Sequence, residues 1–185
     1  MKKIILAGLL VLGLRTMAFA EYEPHALFDP NTFGLGIQAG GLYSTVLDTN
    51  VALGFKLPDI PVFFAINLGI GDDLSIGVSG DWYAFDDSFF NANTITIGWY
   101  AGPGMYADFK VYEDSRKLTT LGLGFRLPVG ISVQFFNHFL ETYFQIVPHF
   151  FYIQMFDIDN SSLAPNVHFD WWRELGFEAG LRIWL

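Results

Sequence analysis

Six separate stretches of this chain alternate apolar with small or polar residues at a period of two. Phe33, Leu35, Ile37 and Ala39 interleave with Gly34, Gly36, Gln38 and Gly40, and Val51, Leu53, Phe55 and Leu57 with Ala52, Gly54 and Lys56. The same pattern runs through Leu74–Ser79, Ile95–Tyr100, Leu121–Leu127 and Glu174–Leu185. Period two marks strands with one apolar and one polar or small face. Beyond residue 20 no apolar run approaches the ~18 residues of a membrane helix, and the run Val62–Ile66 is as long as they become. A helical membrane protein is excluded.

Breaks at Gly71-Asp72-Asp73, Gly102-Pro103-Gly104 and Phe136-Asn137-His138 read as tight turns. Polar breaks at about 42–49, 86–92, 113–117 and 157–170 read as longer loops. Three short and four long connections, taken in alternation, join eight antiparallel strands: an all-β, up-and-down transmembrane barrel with short turns at one end and longer loops at the other. A weak repeat supports the layout. Leu53-Gly54-Phe55-Lys56-Leu57-Pro58 recurs as Leu123-Gly124-Phe125-Arg126-Leu127-Pro128, placed in the second and sixth strands. Their prolines are expected at bends, since proline cannot donate to a ladder.

The N-terminus reads as an export signal: Met1-Lys2-Lys3, an aliphatic run from Ile4 to Leu14, and a cleavage site at Ala18-Phe19-Ala20. The expected organisation is therefore a signal peptide over 1–20, an N-terminal segment over 21–32 and a barrel over 33–185. Losing Lys2, Lys3 and Arg15 takes the ten basic residues to seven against 19 acidic ones, a net charge of −12. That balance argues against nucleic acid as a partner. With no cysteine there is no disulfide framework and no thiolate chemistry. A hydrophobic fraction of 52% rules out intrinsic disorder.

Soluble barrels alternate too, so the lipid-facing side needs its own argument. The polar face here holds mostly Gly, Ser, Thr and Asn with about one charge per strand, too few for water. The apolar face is bulky Leu, Ile, Phe and Trp, as a bilayer requires. Trp82, Trp99, Trp171, Trp172 and Trp184 fall near strand ends and are expected to form aromatic girdles.

These features resemble small eight-stranded outer-membrane β-barrel proteins, similar to the transmembrane domain of outer membrane protein A. The closing Phe177-Glu178-Ala179-Gly180-Leu181-Arg182-Ile183-Trp184-Leu185 contributes to the likeness, which spans residues 33–185. Members typically end on an aromatic residue recognised by the barrel-assembly machinery; this chain ends on Leu185 with Trp184 before it. The resemblance implies an outer-membrane location in a diderm bacterium, outer-membrane lipids as surroundings, and assembly by that machinery.

Candidate chemistry is sparse. Gly34-x-Gly36-x-x-Ala39 lies within a strand and so lacks the strand–helix context of a dinucleotide loop. Asp157-x-Asp159-x-Ser161 lacks the glycine and the closing glutamate of a calcium loop. His138 with Glu141, and His168 with Asp170, offer two metal ligands each and no third. Ser161 or Ser162 with His168 and Asp170 could be read as a nucleophile triad only by proximity. Neither cofactor nor catalytic residue is expected.

What survives is a set of inward-phase charges: Lys56, Asp81, Asp108, Lys110, Arg126, Glu141, Glu174, Glu178 and Arg182. An eight-stranded lumen has room only for its own side chains, so these charges must pair. Lys56, Arg126, Glu141, Glu174, Glu178 and Arg182 are expected to interlock as a plug, each arginine reaching at least one of the three glutamates. The functional expectation is a filled barrel that is structural or meets ligands through external loops. The alternatives are a narrow channel or transporter for small apolar molecules, drawing on Tyr43, Tyr83, Tyr100, Tyr106 and Tyr143, and a lipid-modifying enzyme.

Overall fold

A computed structural model describes residues 27–43, 48–70, 74–111, 119–154 and 168–185. The strands are β1 (Gly34–Tyr43), β2 (Asp48–Lys56), β3 (Phe63–Ile70), β4 (Leu74–Asp81), β5 (Phe85–Ala92), β6 (Ile95–Ala101), β7 (Gly104–Val111), β8 (Thr119–Arg126), β9 (Val129–Phe135), β10 (Leu140–Gln154) and β11 (His168–Trp184). All pairings are antiparallel, and the ring β11-β1-β2-β3-β4-β7-β8-β10 closes on itself through β10 and β11.

The remaining three strands extend this ring. Strand β5 pairs with β6, β6 with β9, and β9 with the first half of β10. Thus β4–β5, β6–β7 and β8–β9 are three continuous staves, each interrupted once. The interruptions lie side by side, at Trp82–Ala84, Gly102–Pro103 and Leu127–Pro128. Hydrogen bonds continue across them: Trp82 N–H to Pro103 O at 2.9 Å, Gly102 N–H to Pro128 O at 3.2 Å, and Leu127 N–H to Pro148 O at 3.0 Å. Proline on three neighbouring staves removes one donor from each, so the ladder bends without ending. The wall therefore has eight staves.

Eight is the expected number, but three connections differ from the sequence reading. Gly102-Pro103-Gly104 lies within the fifth stave and is no turn. Residues 86–92 are not a loop: they form most of β5, and the connection follows at Asn93-Thr94. The reversal between β2 and β3 falls at 57–62, a stretch apolar apart from Asp59. A search for polar breaks therefore passes over it. The chain turns there because Pro58 and Pro61 stop the ladder and Asp59 takes φ 62°. The connections 44–47, 71–73, 112–118 and 155–167 lie outside the described residues; all four join staves at the end opposite the chain termini.

Register fixes the barrel's shape. Crossing from pair to pair, Gly34 leads to Lys56, Phe63, Asp81, Gly104, Arg126, His149 and finally Glu174. Gly34 also pairs directly with Trp184, ten residues further along β11. A stagger of ten over eight staves tilts them by about 40° and gives a radius of about 8 Å, from the ~3.3 Å rise and ~4.8 Å strand spacing. That radius leaves no open bore.

Parity then sorts the side chains. Ile37, Leu53, Ile66, Val78, Phe125, Ile131, Phe144 and Leu181 are exposed on the outside, while Gln38, Lys56, Asp81, Arg126, Ser132, Glu141, Gln145 and Arg182 are buried within. Such an apolar outer face would be an aggregation surface in water and is what a bilayer solvates. A register shift after His149, with Phe151 at φ 49°, changes the inward parity of β10. Both His149 and Tyr152 consequently face inward.

Candidate functional site: the filled lumen

Three levels fill the interior. Nearest the far end is a polar cavity of about 130 Å³, lined among others by Asn50, Asn67, Ser75, Tyr106, His149 and Glu174. The Tyr106 ring meets His149 edge-on at 4.8 Å.

Beneath it lies the charge layer. Arg126, on β8, donates from Nε to Asp81 Oδ1 at 2.7 Å and from Nη1 to Glu178 Oε1 at 3.0 Å. Its Nη2 also meets Asp81 Oδ2, and the Gln145 amide donates to Glu178 Oε2. Nearer the termini, Arg182 Nη1 lies 2.9 Å from Glu141 Oε2. Glu141 is fully buried and also accepts from Ser132 Oγ at 2.9 Å and Trp184 Nε1 at 2.9 Å. Arg126 is held by two carboxylates, whereas Arg182 has Glu141 as its one ion-pair partner among the described residues.

The third level is aromatic. Phe63, Tyr83, Tyr100, Tyr143 and Trp184 form a buried cluster with Leu27 and Phe28. The Arg182 guanidinium sits over Phe63 at 4.5 Å and Tyr143 at 4.8 Å, within cation–π range. Tyr83 and Tyr100 donate to Gln145 Oε1 at 3.2 and 2.9 Å, and Tyr143 to Gln38 Oε1 at 2.7 Å. Tyr100 and Tyr143 can lie flat against the wall because Gly130 and Gly180 stand beneath their rings; a Cβ at either would collide with the phenol.

Of the six residues expected to interlock, the structure brings Arg126 to Glu178 and Arg182 to Glu141. Glu174 lines the outer cavity. Lys56 is elsewhere: it is buried at the termini end, where its ammonium donates to the carbonyls of Pro30 at 2.7 Å, Thr32 at 3.1 Å and Leu57 at 3.3 Å. Its position at the end of β2 leaves it below the charge layer. Asp81 takes part instead, because the β4–β7–β8 register sets it beside Gly104 and Arg126.

Trp82, Trp99 and Trp171 are exposed on the outer surface. The Trp172 side chain lies outside the described residues. Trp184 is not a girdle residue. It shares parity with Glu178 and Arg182, so it points inward, and its indole N–H satisfies Glu141. Of the weaker candidates, His138 meets Gln134 through Nδ1, away from Glu141. Ser161, Ser162 and the side chains of Tyr43, Lys110, His168 and Asp170 lie outside the described residues.

Residues that sequence reasoning missed are Gln145, Ser132 and the pair Leu27–Phe28. The first could have been found by parity, since it shares the phase of Glu141 and Tyr143 on β10. No periodic signal marks Leu27 or Phe28.

No protein-family model matches the chain, and no curated protein does. Among solved structures, the N-terminal β-barrel domain of Pseudomonas aeruginosa OprF is similar at 9% identity, over 84% of this chain and 98% of that one, with a TM-score of 0.47. A major outer membrane protein from Thermus thermophilus is similar at 12% identity, over 83% and 98%, with a TM-score of 0.39. Neisserial surface protein A is similar at 14% identity, over 84% and 97%, with a TM-score of 0.37.

Proposed function

We propose that this protein is a sealed barrel of a bacterial outer membrane, its termini in the periplasm, whose work is done at its external face. The observation that carries the reading is a lumen crossed by buried groups bonded to one another inside a wall clad in exposed apolar side chains. Water and ions find no bore through Arg126, Glu178, Gln145, Tyr83 and Tyr100. What can vary is the set of connections at 44–47, 71–73, 112–118 and 155–167, where ligands or other cells' surfaces would be met. Outer-membrane lipid is the partner of the wall, and the barrel-assembly machinery its partner during insertion. Of the lumen tyrosines that would suit passage of small apolar molecules, Tyr83 and Tyr100 are held in hydrogen bonds to Gln145, and Tyr143 to Gln38.

The test is twofold. In planar bilayers the refolded protein should show no steady single-channel steps, and steady steps would overturn the sealed lumen. On intact cells an antibody should reach a tag inserted between Asp159 and Asn160 and fail to reach one between Asn93 and Thr94. The reverse labelling would overturn the orientation and, with it, the external role.

A further inference from the structure

Among the described residues the ladder is incomplete at the termini end. Strand β3 begins only at Phe63, opposite Asp81. The fourth stave continues as β5, which among the described residues pairs with β6 alone. The segment Leu27–Thr32, outside the expected barrel limits, reaches β5 through the Leu27 N–H bond to Asp86, and its Leu27 and Phe28 are buried inside the mouth. The Phe28 ring is surrounded by Phe63 at 5.1 Å, Tyr100 at 5.6 Å, Tyr83 at 5.7 Å and Trp184 at 5.7 Å. The Leu27 side chain covers Gly98 closely enough that a Cβ there would strike it.

The way this segment is held differs from everything else in the wall. From Phe33 onward the chain is in the ladder, Phe33 and Leu185 exchanging both backbone hydrogen bonds at 3.0 and 2.8 Å. Before Phe33 no ladder exists among the described residues. Leu27 N–H donates to the Asp86 carboxylate at 2.9 Å, and the Gln134 amide donates to Leu27 O at 3.0 Å. Lys56 binds the carbonyls of Pro30 and Thr32, and Asp59 N–H donates to Pro30 O at 2.9 Å. These latches are nearly all single side chains. A cavity of about 500 Å³, bounded by Phe28, Asp29, Thr32, Gln134, His138 and Trp184, leaves room beside the segment. A permanent wall would have been made by starting β3 earlier; instead Pro58 and Pro61 stop it, and a latched segment stands in.

We propose that Leu27–Thr32 is a releasable plug, hinged at Phe33, that controls access from the termini end to the aromatic chamber beneath Arg182. The plug withdraws as a unit: once Phe28 leaves its four rings, Lys56, Gln134 and Asp86 lose their partners on the segment together, Lys56 keeping only the Leu57 carbonyl. The proposal is independent of the external role: it concerns access from the termini end to the aromatic chamber and does not depend on whether the Arg126 layer conducts.

Because the chain has no cysteine, one introduced thiol reports access without background. Ser132 is fully buried and opposite Gly98, the position that Leu27 covers. In lipid vesicles, Ser132→Cys in the otherwise natural chain should react slowly but measurably with a small water-soluble maleimide while the protein stays folded. Phe28→Gly or Lys56→Met should each speed that reaction at least tenfold. Unchanged rates in both variants would overturn the plug. A thiol inert in the natural chain and reactive only with Phe28→Gly would overturn its release. Should Ser132→Cys fail to refold, Ser88→Cys, buried on β5 beside the same segment, is read in the same way.

Discussion

Replacing Arg126 by Met keeps much of the side chain's volume and removes only its charge and donors. The guanidinium is about 4% exposed and stands between the carboxylates of Asp81 and Glu178. Without it, two anions lie buried beside each other, with only Gln145 still donating to one of them. Breaking a buried pair by removing one partner costs about 3–5 kcal/mol. For a domain of this size each kcal/mol lowers the melting temperature by about 2–4 °C, giving a fall on the order of 10 °C. The assay is urea and thermal unfolding of the barrel in lipid vesicles, followed by tryptophan fluorescence and by the shift between folded and unfolded gel bands. Asp81→Asn combined with Arg126→Met should be less destabilised than the sum of the singles, because the neutral amide no longer needs a counter-charge. The coupling should reach about 1 kcal/mol, as for residues in direct contact. A loss below about 1 kcal/mol for Arg126→Met, or strict additivity in the double variant, would refute the reasoning.

Three further expectations can be checked in the same preparations. The protein should fractionate with outer membranes and migrate as a heat-modifiable band, since a ladder closed through β10, β11 and β1 resists detergent; recovery from a detergent-free soluble fraction would contradict this. Trp184→Phe should lose about 1–3 kcal/mol by leaving Glu141 short of a donor, whereas Trp171→Phe, on the exposed outer surface, should be nearly silent; equal effects in unfolding titrations would count against the inward placement. Gly130→Val should destabilise by about 1–3 kcal/mol because it displaces the Tyr100 ring and its bond to Gln145, which the same titrations would read.

The barrel was legible because period two leaves few alternatives: once the outer face is bulky and the inner face small, register follows. The two arginines could be placed by parity, as could Glu141 and Glu178. Trp184 carried the same parity, and the girdle expectation went against it by weighing position along the strand above phase. Connections were harder. Gly102-Pro103 has turn composition but sits where three staves bend together, a property of neighbouring staves that no single stretch of sequence displays. The reversal at 57–62 is nearly as apolar as a strand. The plug is the least legible part, since Leu27 and Phe28 form no repeat and derive their role only from the shortness of β3.

The pairing of Gly34 with Trp184 joins residues 150 positions apart. Nothing in between can substitute for that contact, so the first stave keeps one edge bare until the last stave has been made and delivered. A chain truncated before β11 would present two open edges, those of β1 and β10, rather than one slightly shorter barrel. Long-range closure of this kind is slow, and bare edges invite pairing with other chains. The order of assembly is thereby constrained by topology: hairpins such as β1–β2 and β2–β3 can form early from local contacts, while sealing waits for the final seventeen residues of β11.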